Sequence, residues 1–170
     1  MRPTPSGNSG LSSALRGLAG FVLLMLAQFG VRPLFPGRVA VDFALIAVLF
    51  AAVRLRPGVA ALTGFLVGLA VDALAPDSFG TSTLALTLIA FGASWLKAVF
   101  FADHVGLTGL FVFVGKWVFD ITTTLLMGAA LGTSLAVSLL VWAPLSAALT
   151  AVVAVLLLVL FRPLYRPSGR

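Results

Sequence analysis

The chain has 170 residues, 61% of them hydrophobic and 9% charged, with a formal charge of +6 and a mean hydropathy of +1.16. A soluble domain carries about 25% charged residues, so this composition excludes a water-facing globule and implies an all-α protein embedded in lipid. It contains no cysteine, no glutamate, one histidine and five aspartates, which excludes a disulfide framework or thiolate metal site, matches no familiar hydrolytic or metal pattern, and leads us to expect neither an enzyme nor a cofactor.

In chain order, residues 1–13 are rich in Pro, Ser and Gly and read as a flexible tail. Six apolar segments follow, at about 14–29, 39–53, 59–75, 81–96, 105–127 and 134–161, each near the length that spans a bilayer. Together they make a single transmembrane domain over 14–161, followed by a basic tail at 162–170. The first segment is read as an uncleaved helix, since no small-x-small cleavage site follows it and five more segments do. Short connections favour antiparallel neighbours. Pro144 lies inside the last segment, where it frees a backbone carbonyl and predicts a kink.

The basic residues orient the six spans. With the N-terminus in the cytoplasm, Arg2, Arg16, Arg54, Arg56, Lys97, Arg162, Arg166 and Arg170 fall on the inner side, and only Arg32 and Arg38 on the outer. That bias predicts cytoplasmic N- and C-termini. Because the basic residues are scattered at span ends, the net charge is read as orientation and not as nucleic-acid binding.

The same topology sets the depth of the acids. Asp42 opens the second span near the outer face, and Asp72 lies about 5 Å below it on the third. Asp120 is in the outer half of the fifth span, with Lys116 one turn deeper. Asp77 falls in an outer turn, and Asp103, beside His104, in an inner connection. Shallow placement suits the energetics, since an aspartate at a span centre costs roughly 2.5–3.5 kcal/mol.

Two readings of these charges stand side by side. In one, Asp72 orders the turn that follows it, while Lys116 pairs with Asp120 and Arg38 with Asp42 at helical i,i+4 spacing. In the other, Asp42, Asp72, Lys116, Asp120 and Arg38 build a shared polar pocket on the outer side that binds a partner. Gly64 and Gly68 form a G-x-x-x-G that permits close helix approach, either within the bundle or against a partner or second copy. Trp95 and Tyr165 fit interfacial anchoring, and Trp117 and Trp142 are expected to pack in the bundle. Thr122, Thr123 and Thr124 can bond to their own helix backbone.

The segment "VDFALIAVLFAAVRLRPGVAALTGFLVGLAVDALAPDSFGTSTLALTLIAF", residues 41–91, resembles the rod shape-determining protein MreD family. The matching features are an aspartate opening the second span, the basic break "RLRPG", the segment "GFLVGLAVD", and "FG" after a short turn. By this resemblance Asp42, Gly64, Gly68, Asp72 and Gly80 occupy motif positions, with Val41 standing where a proline often precedes the aspartate. The resemblance implies a non-enzymatic, multi-pass protein of the bacterial inner membrane, with a bundle similar to the S components of energy-coupling-factor transporters. It also implies a direct partner, the bitopic protein MreC, within the elongation machinery of MreB, RodA and the elongation transpeptidase, where it modulates lateral-wall peptidoglycan synthesis. A homo-oligomer is left open. The competing class is a vitamin-binding transporter subunit. Against it, the Ala-x-x-x-Ala coupling motif is absent from the first span, although Ala47 and Ala51 have that spacing in the second. No span carries the repeated polar stripe of a channel.

Overall fold

A computed structural model describes residues 7–30, 41–75, 78–100, 105–127 and 138–165. All regular structure among them is helical. In chain order the helices are α1 (Gly7–Gly30), α2 (Phe43–Arg54), α3 (Pro57–Asp72), α4 (Thr81–Phe100), α5 (Val105–Leu126) and α6 (Ala143–Tyr165), and a π-helical turn, Ser138–Trp142, leads into α6. α1 begins inside the segment expected to be a tail. Arg38, Asp77, Asp103 and His104 lie outside the described residues.

α2 is the hub. It is short and apolar, and it packs against α1, α3, α4 and α5. Every residue from Ala44 to Leu49 is buried, which leaves it no face for lipid. The other helices are two-sided. On α1, α3, α4, α5 and α6, large apolar side chains such as Leu18, Phe65, Leu88, Val118 and Leu156 are exposed, while Asp42, Asp72 and Lys116 are buried. That is the reverse of a soluble protein's distribution and the one a bilayer demands, since lipid accepts apolar side chains and buried polar groups need partners. Among the described residues two stretches, Gly106–Leu126 and Leu139–Leu160, are long and apolar enough to cross a membrane; the apolar stretches Leu15–Gly30, Phe43–Arg54, Pro57–Asp72 and Thr81–Leu96 are shorter.

The break between α2 and α3 follows its sequence closely. Arg54 ends α2, Leu55 is extended, and Pro57 starts α3 at the position where a missing amide costs least. The Leu55 carbonyl accepts a hydrogen bond from Ser94 Oγ of α4 at 2.8 Å. α3 and α4 then pack along much of their length. Just before Pro144, where a kink is predicted, the helix carries the π turn Ser138–Trp142.

Candidate functional site

Successive helices joined by short connections alternate in direction. The C-terminal ends of α1, α3 and α5 and the N-terminal ends of α2 and α4 therefore share one end of the bundle. The buried acids are at that end, in two separate groups.

The first group is built on α3 and α4. A Cβ on Gly64 would meet the Leu86 carbonyl carbon at 2.8 Å and Ala90 Cβ at 2.9 Å, and one on Gly68 would meet the Ser82 carbonyl oxygen and the Thr83 amide nitrogen at 2.8 Å. Real Cβ atoms do not approach so closely, so both glycines are required for this contact. One turn further on, Asp72 reaches the start of α4. Its carboxylate accepts hydrogen bonds from the amides of Gly80 (2.9 Å), Ser82 (3.1 Å) and Thr83 (2.9 Å) and from the Thr83 hydroxyl (2.7 Å). Those amides are among the ones a helix cannot pair within itself, and the charge sits at the positive end of the α4 dipole. Gly80 has φ +94°, a conformation L side chains rarely adopt. Glycine is thus needed there to turn the chain into the cap. Asp72 is fully buried, and all of its charge is met by groups within eleven residues.

The second group joins α1, α2 and α5. Asp42 stands at the N-cap position of α2, but its side chain does not cap the helix. The α2 amide of Ala44 is instead served by Gln28 Oε1 of α1, at 3.2 Å, while Gln28 Nε2 donates to Asp42 Oδ1 at 3.4 Å. The carboxylate of Asp42 is thereby left for Lys116, whose Nζ lies 2.6 Å from Oδ2 and 2.5 Å from Asp120 Oδ1. The ammonium also sits 5.0 Å from the centre of the Phe119 ring. Beside Lys116, Gly115 lets α5 lie close to α2, where a Cβ would come 3.0 Å from Leu49 Cδ1. Lys116, Asp42 and Gln28 are each at most 5% exposed, and among the described residues no buried side-chain polar atom lacks a partner.

The structure therefore divides the residues that the second of the two sequence readings gathers in one outer pocket. Lys116, Asp42 and Asp120 come together, and the i,i+4 pair of Lys116 and Asp120 is present. Asp72 touches none of them and orders the turn after it, while Arg38 is outside the described residues. Gly64 and Gly68 pack internally against α4. Thr122, Thr123 and Thr124 bond back to the carbonyls of Val118, Phe119 and Asp120. Trp117, expected to pack in the bundle, is exposed and donates its indole N–H to the Leu139 carbonyl.

Two participants escape a sequence reading. Gln28 is the chain's one glutamine, and its place near the end of the first apolar run was the available signal. Gly115 carries no signal, because glycine is common in membrane helices. Nothing in either group resembles a reactive centre: each carboxylate accepts hydrogen bonds or pairs with an ammonium. Among the described residues no cluster of acids and histidine could hold a metal ion.

No curated protein and no solved structure matches the chain. The family model described as rod shape-determining protein MreD matches residues 14–167. That family is a membrane family of structural shape-determining proteins and not a known enzyme family. The match runs from within α1 to beyond α6 and takes in both polar groups, so the chain belongs to the rod shape-determining protein MreD family and has a role in determining rod shape.

Proposed function

We propose that this chain is a scaffold of the lateral-wall elongation machinery. In this reading it crosses the inner membrane six times with both termini in the cytoplasm. It binds MreC directly and through it modulates peptidoglycan synthesis beside MreB, RodA and the elongation transpeptidase. The observation that carries the reading is the family match across residues 14–167. The exposed apolar exterior and the polar groups gathered at one end of the bundle support it. In the proposed orientation that end lies beneath the extracytoplasmic surface, as the distribution of basic residues favours.

The glycine face of α3 is filled by α4, so the MreC membrane helix docks on another apolar face, while the polar end meets the part of MreC just outside the membrane. For such docking to regulate synthesis, the bundle must bind two MreC conformations with different affinities. The test is co-purification of the tagged chain with MreC from membranes, with cross-links mapped at the ends of α1, α3 and α5, alongside cell shape in a depletion strain. Recovery of MreC and rounding of depleted cells are expected. Depleted cells that stay rod-shaped, or an absence of MreC in the purified material, would refute it.

A further inference from the structure

The π turn before α6 has a specific cause and a specific partner. In an α-helical register Pro144 would leave the Leu140 carbonyl without an amide and press its ring against it. In the observed π turn, Ser138–Trp142, each carbonyl looks to the amide five residues on. That register assigns the Ala143 amide to Ser138 and moves the orphan to Leu139, whose partner would be the missing N–H of Pro144. The Trp117 indole Nε1–H faces this gap from α5, at 3.5 Å from the Leu139 carbonyl oxygen, beyond the usual range of roughly 2.7–3.2 Å for an N–H···O bond and so a weak one.

The packing on either side of the turn is unequal. The body of α6 turns small residues to the bundle: Ala143, Ala147, Ala151 and Ala154 are buried, and Gly109 of α5 leaves room for Val155. In the π turn, Leu140 is 72% exposed and Val141 54%. Segments with few buried contacts open at low cost. Trp117 also follows Lys116 directly. One turn of α5 thus holds α2 through the buried ion pairs and reaches the π turn through the long Trp117 hydrogen bond.

We propose that the π turn is a hinge for the start of α6 and that the Trp117 indole N–H is its latch. With the latch made, residues 138–142 lie against α5; with it broken, they swing on the fixed body of the helix. This inference does not depend on the proposed binding of MreC.

The chain has no native cysteine, so spin labels can be placed at Leu125→Cys and Leu140→Cys, both exposed, in the full-length protein in nanodiscs. Trp117→Phe keeps a ring and removes the donor. It should raise the long-distance population about twofold, the low end of what losing one neutral hydrogen bond does, because this bond is long and exposed. Pro144→Ala supplies the missing N–H and allows the α register, so in that background Trp117→Phe should leave the distance distribution unchanged. An unaltered distribution for Trp117→Phe alone, or equal broadening in both backgrounds, would overturn the latch. Should Trp117→Phe alone fail to fold, recovery of a folded protein on adding Pro144→Ala supports the proposal, and failure of the pair overturns it.

Discussion

α2 and α4 begin at the same end of the bundle, and each has its first amides capped by a side chain from the preceding helix. The two caps differ in what else they require. Asp72 needs only the next turn and the start of α4, with every partner between residues 80 and 83. Its group can form as soon as α3 and α4 pair. At α2, Gln28 takes the capping role and Asp42 turns to Lys116, which is 74 residues further along the chain. That second group exists only when α5 has packed. A carboxylate beside a helix N-terminus is satisfied by local amides, whereas one turned into the bundle must wait for a distant cation. The first arrangement orders a helical hairpin and the second registers three helices against one another.

The largest test of this contrast is Lys116→Met. It leaves Asp42 and Asp120 buried without their cation, and breaking a buried pair in this way costs about 3–5 kcal/mol. We expect a collapse of the monodisperse fraction after detergent extraction and heating. Adding Asp42→Asn and Asp120→Asn should restore much of it, because the uncompensated charge is then gone. A Lys116→Met protein as heat-resistant as the parent would mean that the ion pairs do not register the helices.

Next is Asp72→Ala, which uncaps α4 and should cost about 2 kcal/mol. Asp72→Asn retains one carbonyl acceptor and should fall between the alanine variant and the parent. The contrast sharpens in combination: Asp72 and Lys116 share no partner, so the losses from Asp72→Ala and Lys116→Met should add. A marked departure from additivity in thermal shift would join the two groups into one.

Gly68→Ala should cost about 1–3 kcal/mol by forcing α3 away from the Thr83 backbone. Its loss should shrink in the Asp72→Ala background, because a displaced α4 no longer receives the cap. Equal losses in both backgrounds, measured by the same thermal assay, would show that the glycine contact and the cap are independent. The smallest effect is expected for Gln28→Ala, about 1 kcal/mol for a cap that also steadies Asp42. Protease sensitivity near the start of α2 would report it.

Much of the framework can be read from residue order. The apolar runs, the "RLRPG" break, the backbone bonding of Thr122 to Thr124 and the i,i+4 pairing of Lys116 with Asp120 follow from local spacing and solvation. Pro144 marks a break in helical bonding, but the π turn before it is not readable from residue order. The polar groups were only half legible. Asp42, Asp72, Lys116 and Asp120 stand out as charges in an apolar chain, yet spacing alone let them all be placed in one pocket. It could not reveal that Gln28 would displace Asp42 from the α2 cap.

Taken alone, the sequence determined that the protein is helical, lipid-embedded and poor in reactive groups, because hydropathy and composition act without regard to which helices touch. It also determined that Gly64, Gly68 and Asp72 lie on one face, since helical periodicity is a local property. Only the tertiary structure decided that this face belongs to α4 and that Lys116 selects Asp42 and Asp120 over Asp72. Burial leaves a charge no choice but its nearest partner, and which partner is nearest is settled by helix packing across distant parts of the chain.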